Sequence, residues 1–152
     1  MLERFDIVVV GSGAAGAVSA QFLSRAGLKV CCLERGDWAD YKTFPARFFN
    51  WERLKHTSYS FSPNERSGSY DYQVDCSSSP IDIANYNAVG GSTILFSGHY
   101  PRFHVSDFQV RTLDNVGVDW PLTYDDLAPH YRANEIFLGV SGLAGDPMYP
   151  DT

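Results

Sequence analysis

Val8-Val9-Val10-Gly11-Ser12-Gly13-Ala14-Ala15-Gly16 is the stretch whose reading decides the fold. An apolar run from Phe5 to Val10 leads into it, and a helix-forming run from Ala14 to Arg25 leads out. The continuous β-branched character of Asp6 to Val10 predicts a parallel strand buried on both faces. The glycines then have separate tasks. Gly11 permits the tight turn, Gly13 lets backbone approach a phosphate, and Gly16 lets the helix lie close on the strand. Free N–H groups at the helix start, together with the positive end of the helix dipole, suit a pyrophosphate.

Outward from that turn, Gly27 is placed to stop the helix. Leu28-Lys29-Val30-Cys31-Cys32-Leu33 reads as a second strand, so strand, helix and strand form a βαβ unit with a right-handed crossover. Glu34 ends the second strand eighteen residues after Gly16. A carboxylate at about that distance accepts hydrogen bonds from a ribose diol and repels the 2′-phosphate of NADP. Arg35 beside it can stack near an adenine. The unit predicts dinucleotide binding without separating FAD from NAD. The bland alternative is a glycine turn that holds no ligand.

The composition fits one globular α/β domain. The chain has 152 residues, 44% of them hydrophobic, with twelve basic against eighteen acidic residues and a net charge of −6. A nucleic acid or an anionic membrane needs a basic face, so neither is expected as a partner. No apolar run reaches the ~20 residues of a membrane helix. The early first strand leaves no room for a signal peptide, so a cytoplasmic location is expected. Cys31, Cys32 and Cys76 are an odd set, read as small buried residues rather than a disulfide or a metal site.

Between Gly36 and Asn87 the character changes. The sequence is aromatic, Ser-rich and interrupted by proline, without a sustained period of either 2 or 3.6. Phe44 to Leu54 predicts a short helix, Ser58 to Asp75 a loop with short strand pieces, and Ser77-Ser78-Ser79-Pro80 a turn. The segment either covers a cofactor or packs for stability alone. His56 reads as a surface residue. A second glycine motif follows in Tyr86-Asn87-Ala88-Val89-Gly90-Gly91-Ser92-Thr93-Ile94-Leu95-Phe96-Ser97-Gly98. Its paired glycines let backbone come close to a flat ligand or a phosphate, and Ser92 is positioned to cap a turn of helix.

Four blocks together resemble the N-terminal part of the glucose–methanol–choline (GMC) family of FAD-dependent oxidoreductases. They are Val10 to Gly16; Leu33-Glu34-Arg35-Gly36; Ala88 to Thr93 running on to Tyr100-Pro101-Arg102-Phe103; and Val118-Asp119-Trp120-Pro121-Leu122-Thr123-Tyr124-Asp125-Asp126-Leu127-Ala128-Pro129-His130-Tyr131. Within the family the resemblance is nearest to the bacterial gluconate- and fructose-dehydrogenase-like or pyranose-oxidase-like branch. It implies FAD. Gly11, Ser12, Gly13, Ala14, Ala15 and Gly16 would meet the pyrophosphate, and Glu34 with Arg35 the adenosine end. Gly90, Gly91, Ser92 and Thr93 would lie along the pyrophosphate and flavin, with Phe96 and Ser97 near the isoalloxazine. Some relatives bond the flavin through a His in this block; here that position is Leu95, and His99 lies four residues on. Non-covalent FAD is therefore expected.

The last stretch supplies helices. Ser106 to Gln109 has capping-box form and predicts a helix start. Thr123 to Asp126 does the same for a helix running to about Leu138, stopped by Gly139, with Pro129 near its start. Asp125 and Asp126 read as capping residues rather than an acid–base pair, His99 and His104 as loop histidines, and Gly145-Asp146-Pro147 as a turn. The resemblance implies oxidation of an alcohol or sugar CH–OH group by hydride transfer to the flavin N5. It places the basic His in a later part of a longer chain, so no catalytic residue and no metal ligand are assigned here. The expected organisation is a portion of an FAD-binding domain: residues 1–36 the dinucleotide unit, 37–87 a covering segment, 88–152 the second motif and helices, with no substrate domain. The alternatives are an NAD-binding Rossmann protein and a non-catalytic dinucleotide-binding remnant.

Overall fold

The computed structural model describes residues 2–44, 48–50, 59–66, 71–143, 145–147 and 149. The chain divides into two compact units, Met1–Ser97 and Gly98–Thr152.

The first unit opens with β1 (Ile7–Val10), α1 (Ala14–Arg25) and β2 (Val30–Leu33). β1 and β2 pair in parallel, Ile7 opposite Val30 and Val10 opposite Leu33. The ladder extends at both ends through Asp6 N–H to the Lys29 carbonyl at 2.9 Å and Gly11 N–H to the Leu33 carbonyl at 2.7 Å. The βαβ unit thus forms at the expected positions, and α1 ends where Gly27 N–H bonds the Ser24 carbonyl.

The burial differs from expectation. Ile7 and Val9 are half-buried, while Val8 is 55% and Val10 84% exposed. α1 contributes no fully buried residue. Alternate residues of β1 are thus half-buried on one face and exposed on the other, so β1 is more covered on one face than on the other. The cysteines follow the same logic. All three are free, but Cys32 is exposed and Cys31 and Cys76 are half-buried, so they are not the buried residues expected.

After β2, Asp37 bridges to Ala88 in parallel, and Val89 N–H bonds the Asp37 carbonyl at 3.0 Å. A 3₁₀ turn spans Tyr41–Thr43, capped by Asp40. The rings of Tyr41, Phe44 and Tyr59 make a short stack, at 5.7 and 5.5 Å. The helix expected over Phe44 to Leu54 falls largely outside the described residues, as does His56. Ser58 to Asp75 holds no strand among the described residues; it forms one helical turn, α2 (Pro63–Arg66). Buried Ser60 explains the substitution: its hydroxyl accepts from Ser62 N–H, and Arg66 donates to the Ser60 carbonyl. Local polar bonds thereby satisfy backbone that a strand would have paired elsewhere. Arg66 also makes a buried, two-pronged pair with Asp71 and lies over the Tyr86 ring at 4.5 Å. The turn at Ser77 forms, with Ser79 N–H on the Cys76 carbonyl.

The second unit contains a 3₁₀ turn (Val105–Gln109) leading into α3 (Val110–Asp114), then α4 (Tyr124–Leu138). The helical start lies before Ser106, because Asp107 accepts from His104 N–H at 2.8 Å and shifts the cap upstream. α4 matches expectation: Thr123 and Asp126 form a reciprocal capping box, and Gly139 closes the helix. Asp126 is held below its ordinary pKa by the Thr123 backbone and side-chain donors. Phe108 forms the core, with Phe103, Trp120 and Tyr124 at its edges. Buried Arg102 grips Glu135 with two nitrogens and donates to the Tyr124 hydroxyl at 3.0 Å. These bonds raise the guanidinium pKa further and lower that of Glu135. His104 stacks on Tyr149, as a structural loop histidine would.

Candidate functional site: a glycine cradle at the start of the first helix

Gly16 shows why this turn is built from glycine. A Cβ there would lie 1.9 Å from the Gly11 carbonyl oxygen, so the first turn of α1 sits against the strand-to-helix turn with no room for a side chain. Gly13 is the opposite case: a Cβ there would meet nothing within 4 Å. Gly13 occupies the N-cap of α1 with extended backbone, and no side chain caps it. The first turn also holds no acidic residue, and the first helical bond of the turn is Ala17 N–H to the Gly13 carbonyl at 2.9 Å. The N–H groups of the helix before Ala17 are left without helical acceptors, at the positive end of a twelve-residue helix. This cradle, which a Cβ at Gly13 would begin to fill, fits a diphosphate.

Glu34 lies beside it. Its Oε2 accepts from Ser12 N–H at 2.7 Å and from Ser12 Oγ at 2.8 Å, and its Oε1 accepts from Gly36 N–H at 2.8 Å. The Gly36 and Ser12 backbone donors, then the Ser12 hydroxyl, lower its pKa from 4.5 to about 2. Glu34 is therefore an anion throughout the neutral range. Arg35 points onto the Tyr72 ring, with its guanidinium 4.6 Å from the centroid.

The second glycine motif arrives at the same place. Gly90 N–H donates to Ser12 Oγ at 3.2 Å across 78 residues of chain. A Cβ on Gly91 would lie 3.2 Å from the Gly13 Cα, and one on Gly36 only 2.3 Å from the Ala88 nitrogen. Gly90 has φ +100°, a left-handed conformation that glycine adopts without strain. Ser92 does not cap the following 3₁₀ turn (Gly91–Leu95). Gly90 holds that position, and the Ser92 hydroxyl instead accepts from Tyr86 N–H at 3.2 Å. Thr93 donates from Oγ1 to the Gly90 carbonyl at 2.5 Å and closes the turn. Phe96, 57% exposed, and Ser97, also exposed, follow this turn.

The structure thus brings together Gly11 to Gly16, Glu34, Gly90 and Gly91. It shows Ser92 and Thr93 shaping the second turn and Arg35 resting on Tyr72. Gly36 and Ala88 belong to the scaffold of the site as well. Gly36 carried no role from spacing, because its task is to let another segment pass closely, and that segment is distant in sequence. In the second unit, a separate cleft of about 860 Å³ is lined by His99, Tyr100, Arg132, Glu135 and the Gly139–Leu143 stretch among others.

Residues 4–52 match the family described as FAD binding domain. Along 98% of its length the chain is 39% identical to 2-methyl-1,2-propanediol dehydrogenase of Mycolicibacterium austroafricanum, covering 27% of that protein. It is 27% identical to the fructose dehydrogenase large subunit of Gluconobacter japonicus over 95% of the chain and 29% of the relative. It is 32% identical to 6'''-hydroxyparomomycin C oxidase of Streptomyces lividus over 91% of the chain and 23% of the relative. The chain therefore spans about a quarter of the length of these relatives. The FAD-domain match indicates FAD rather than NAD as the dinucleotide of this chain.

Proposed function

We propose that this chain is the FAD-binding portion of a GMC-type enzyme that oxidises an alcohol or sugar at a CH–OH group; residues 4–52 match an FAD binding domain, and nearly the whole chain is similar to a propanediol dehydrogenase and a fructose dehydrogenase large subunit. The observation that carries the reading is the meeting of two glycine turns, at Gly13 and Gly91, at the side-chain-free N-terminus of α1. In this proposal the backbone N–H groups of Gly13 to Ala15 hold the FAD pyrophosphate, the Ser12 N–H being engaged by Glu34. The Glu34 carboxylate, fixed by Ser12 and Gly36, turns its remaining lone pairs to the adenosine ribose. Gly90 to Thr93 run along the cofactor toward its flavin, with Phe96 and Ser97 next in line. Residues 37–87 cover the cofactor, and the residues that act on substrate lie outside this chain.

When bound, FAD would supply the redox chemistry, as acceptor of a hydride from the substrate carbon. The residues described here orient it and meet its charge. The names of the relatives support an alcohol or sugar substrate: one is a propanediol dehydrogenase and one a fructose dehydrogenase. Leu95, at the position read from the family resemblance as that of a flavin-linking histidine, supports non-covalent attachment. No helix among the described residues is long and apolar enough to cross a membrane. A cytoplasmic location is part of the same proposal, and three free thiols suit a reducing compartment.

The test is twofold on one sample. Acid precipitation of the purified complete protein that carries this chain should release free flavin into the supernatant, and a polyol or sugar added to that complete protein without oxygen should bleach the flavin absorbance. Flavin that stays with the precipitate overturns the non-covalent assignment. A flavin that no alcohol or sugar bleaches overturns the substrate class.

A further inference from the structure

The Ser12 hydroxyl stands between two fixed partners. On one side is Glu34 Oε2, an ionised acceptor that can only receive a proton, at 2.8 Å. On the other is Gly90 N–H, a donor that can only give one, at 3.2 Å. Chemistry therefore fixes the direction of this relay: Gly90 N–H donates to Ser12 Oγ, and Ser12 O–H donates to Glu34. The charged end makes the hydroxyl oxygen a better acceptor for Gly90, since neighbouring hydrogen bonds polarise one another. Glu34 is itself held in place by Gly36 N–H and Ser12 N–H, so the relay is anchored on backbone at both ends. The turn it holds cannot settle by side-chain packing, because Gly90 and Gly91 have no side chains and Gly91 passes close to the Gly13 Cα.

We propose that Ser12 is a positioning residue, whose hydroxyl ties the Gly90–Gly91 turn to the start of α1 and so presets the second wall of the cofactor cradle. This inference rests on the reading of the cradle as an FAD site. The low pKa of Glu34, held down by the Gly36 and Ser12 donors, supports it, because the acceptor end stays ionised well below the ordinary carboxylate range.

The test compares Ser12→Ala and Ser12→Thr with the wild type in two measurements. The first is the Kd for FAD, read by flavin fluorescence after reconstitution. The second is hydrogen exchange at the Gly90 amide in the cofactor-free protein. S12A should weaken FAD binding about tenfold, the scale of one net hydrogen bond, and should speed Gly90 exchange. S12T keeps a hydroxyl and should restore both. A Kd for S12A within twofold of wild type overturns the proposal, and so does a loss that S12T fails to rescue. A wild-type protein that takes up no FAD overturns the functional reading instead. In that case unchanged Gly90 exchange in S12A overturns the tie on its own.

Discussion

At Glu34 one carboxylate takes hydrogen bonds from Ser12 N–H, Ser12 Oγ and Gly36 N–H, and the sign of its effect on stability follows from them. Its folded pKa of about 2 lies below the ordinary 4.5. The stabilisation is therefore complete above about pH 4.5 and is lost as the pH falls toward 2. In urea unfolding, wild type should be more stable than Glu34→Gln at pH 6, and the gap should close between pH 4.5 and the lowest pH at which the fold survives. A gap that does not change with pH would show that the carboxylate charge is not what those donors hold. Spacing made Glu34 the candidate partner of a ribose. It did not show that Ser12 and Gly36 would hold its carboxylate, because that depends on where two backbone N–H groups point. Cys32 shows the converse limit: apolar neighbours along the chain suggested burial, yet its environment is set by what packs on the sheet, and it is exposed.

Two helices in this chain begin in opposite ways. α4 supplies its own cap, with the Thr123 hydroxyl and Asp126 carboxylate meeting the N–H groups at its start. α1 has Gly13 in that position, no side-chain cap and no acidic residue in its first turn. A capped helix is a structural element, whereas an uncapped one at a glycine turn leaves donors for a ligand. Thr123→Ala should cost about 1 kcal/mol in chemical denaturation, the usual worth of a lost N-cap. A change below a few tenths would mean that the backbone of Pro121–Leu122, not the cap, starts α4. Both starts could be read from sequence because capping is local chemistry: side chain and N–H lie within three residues. The start near Ser106 was misplaced by the same local logic. Asp107 bonds His104 N–H, so the N-cap is His104 rather than Ser106. α2 was not foreseen, since a single turn held by Ser60 and Arg66 leaves no periodic trace.

At the scale of the molecule, the first unit is held by ties between segments far apart in sequence: Asp37 with Ala88, Ser12 with Gly90, Gly91 against Gly13. The sequence showed both glycine motifs but not their meeting, which only three-dimensional closure across a sequence separation of 78 produces. It also overstated the burial of β1. A run of valines says which residues can be covered, while the exposure of Val10 reports what in this chain covers them. The second unit rests on an aromatic core around Phe108 and the buried pair of Arg102 and Glu135, and its long helix was legible from both caps.

The central claim is that the uncapped start of α1 is the seat of the FAD pyrophosphate, and one substitution separates that claim from stability. Gly13 has φ −65° and open space where a Cβ would go, so Gly13→Asp fits without strain. An aspartate at an N-cap stabilises a helix relative to an uncapped start, while its charge takes up the N–H groups that a phosphate would need. The measurement is FAD affinity of Gly13→Asp beside wild type, with the unfolding midpoint of each cofactor-free protein recorded as a control. The account predicts an affinity at least a hundredfold weaker, with a cofactor-free midpoint equal to or above that of wild type. Undiminished FAD binding by the variant would contradict it.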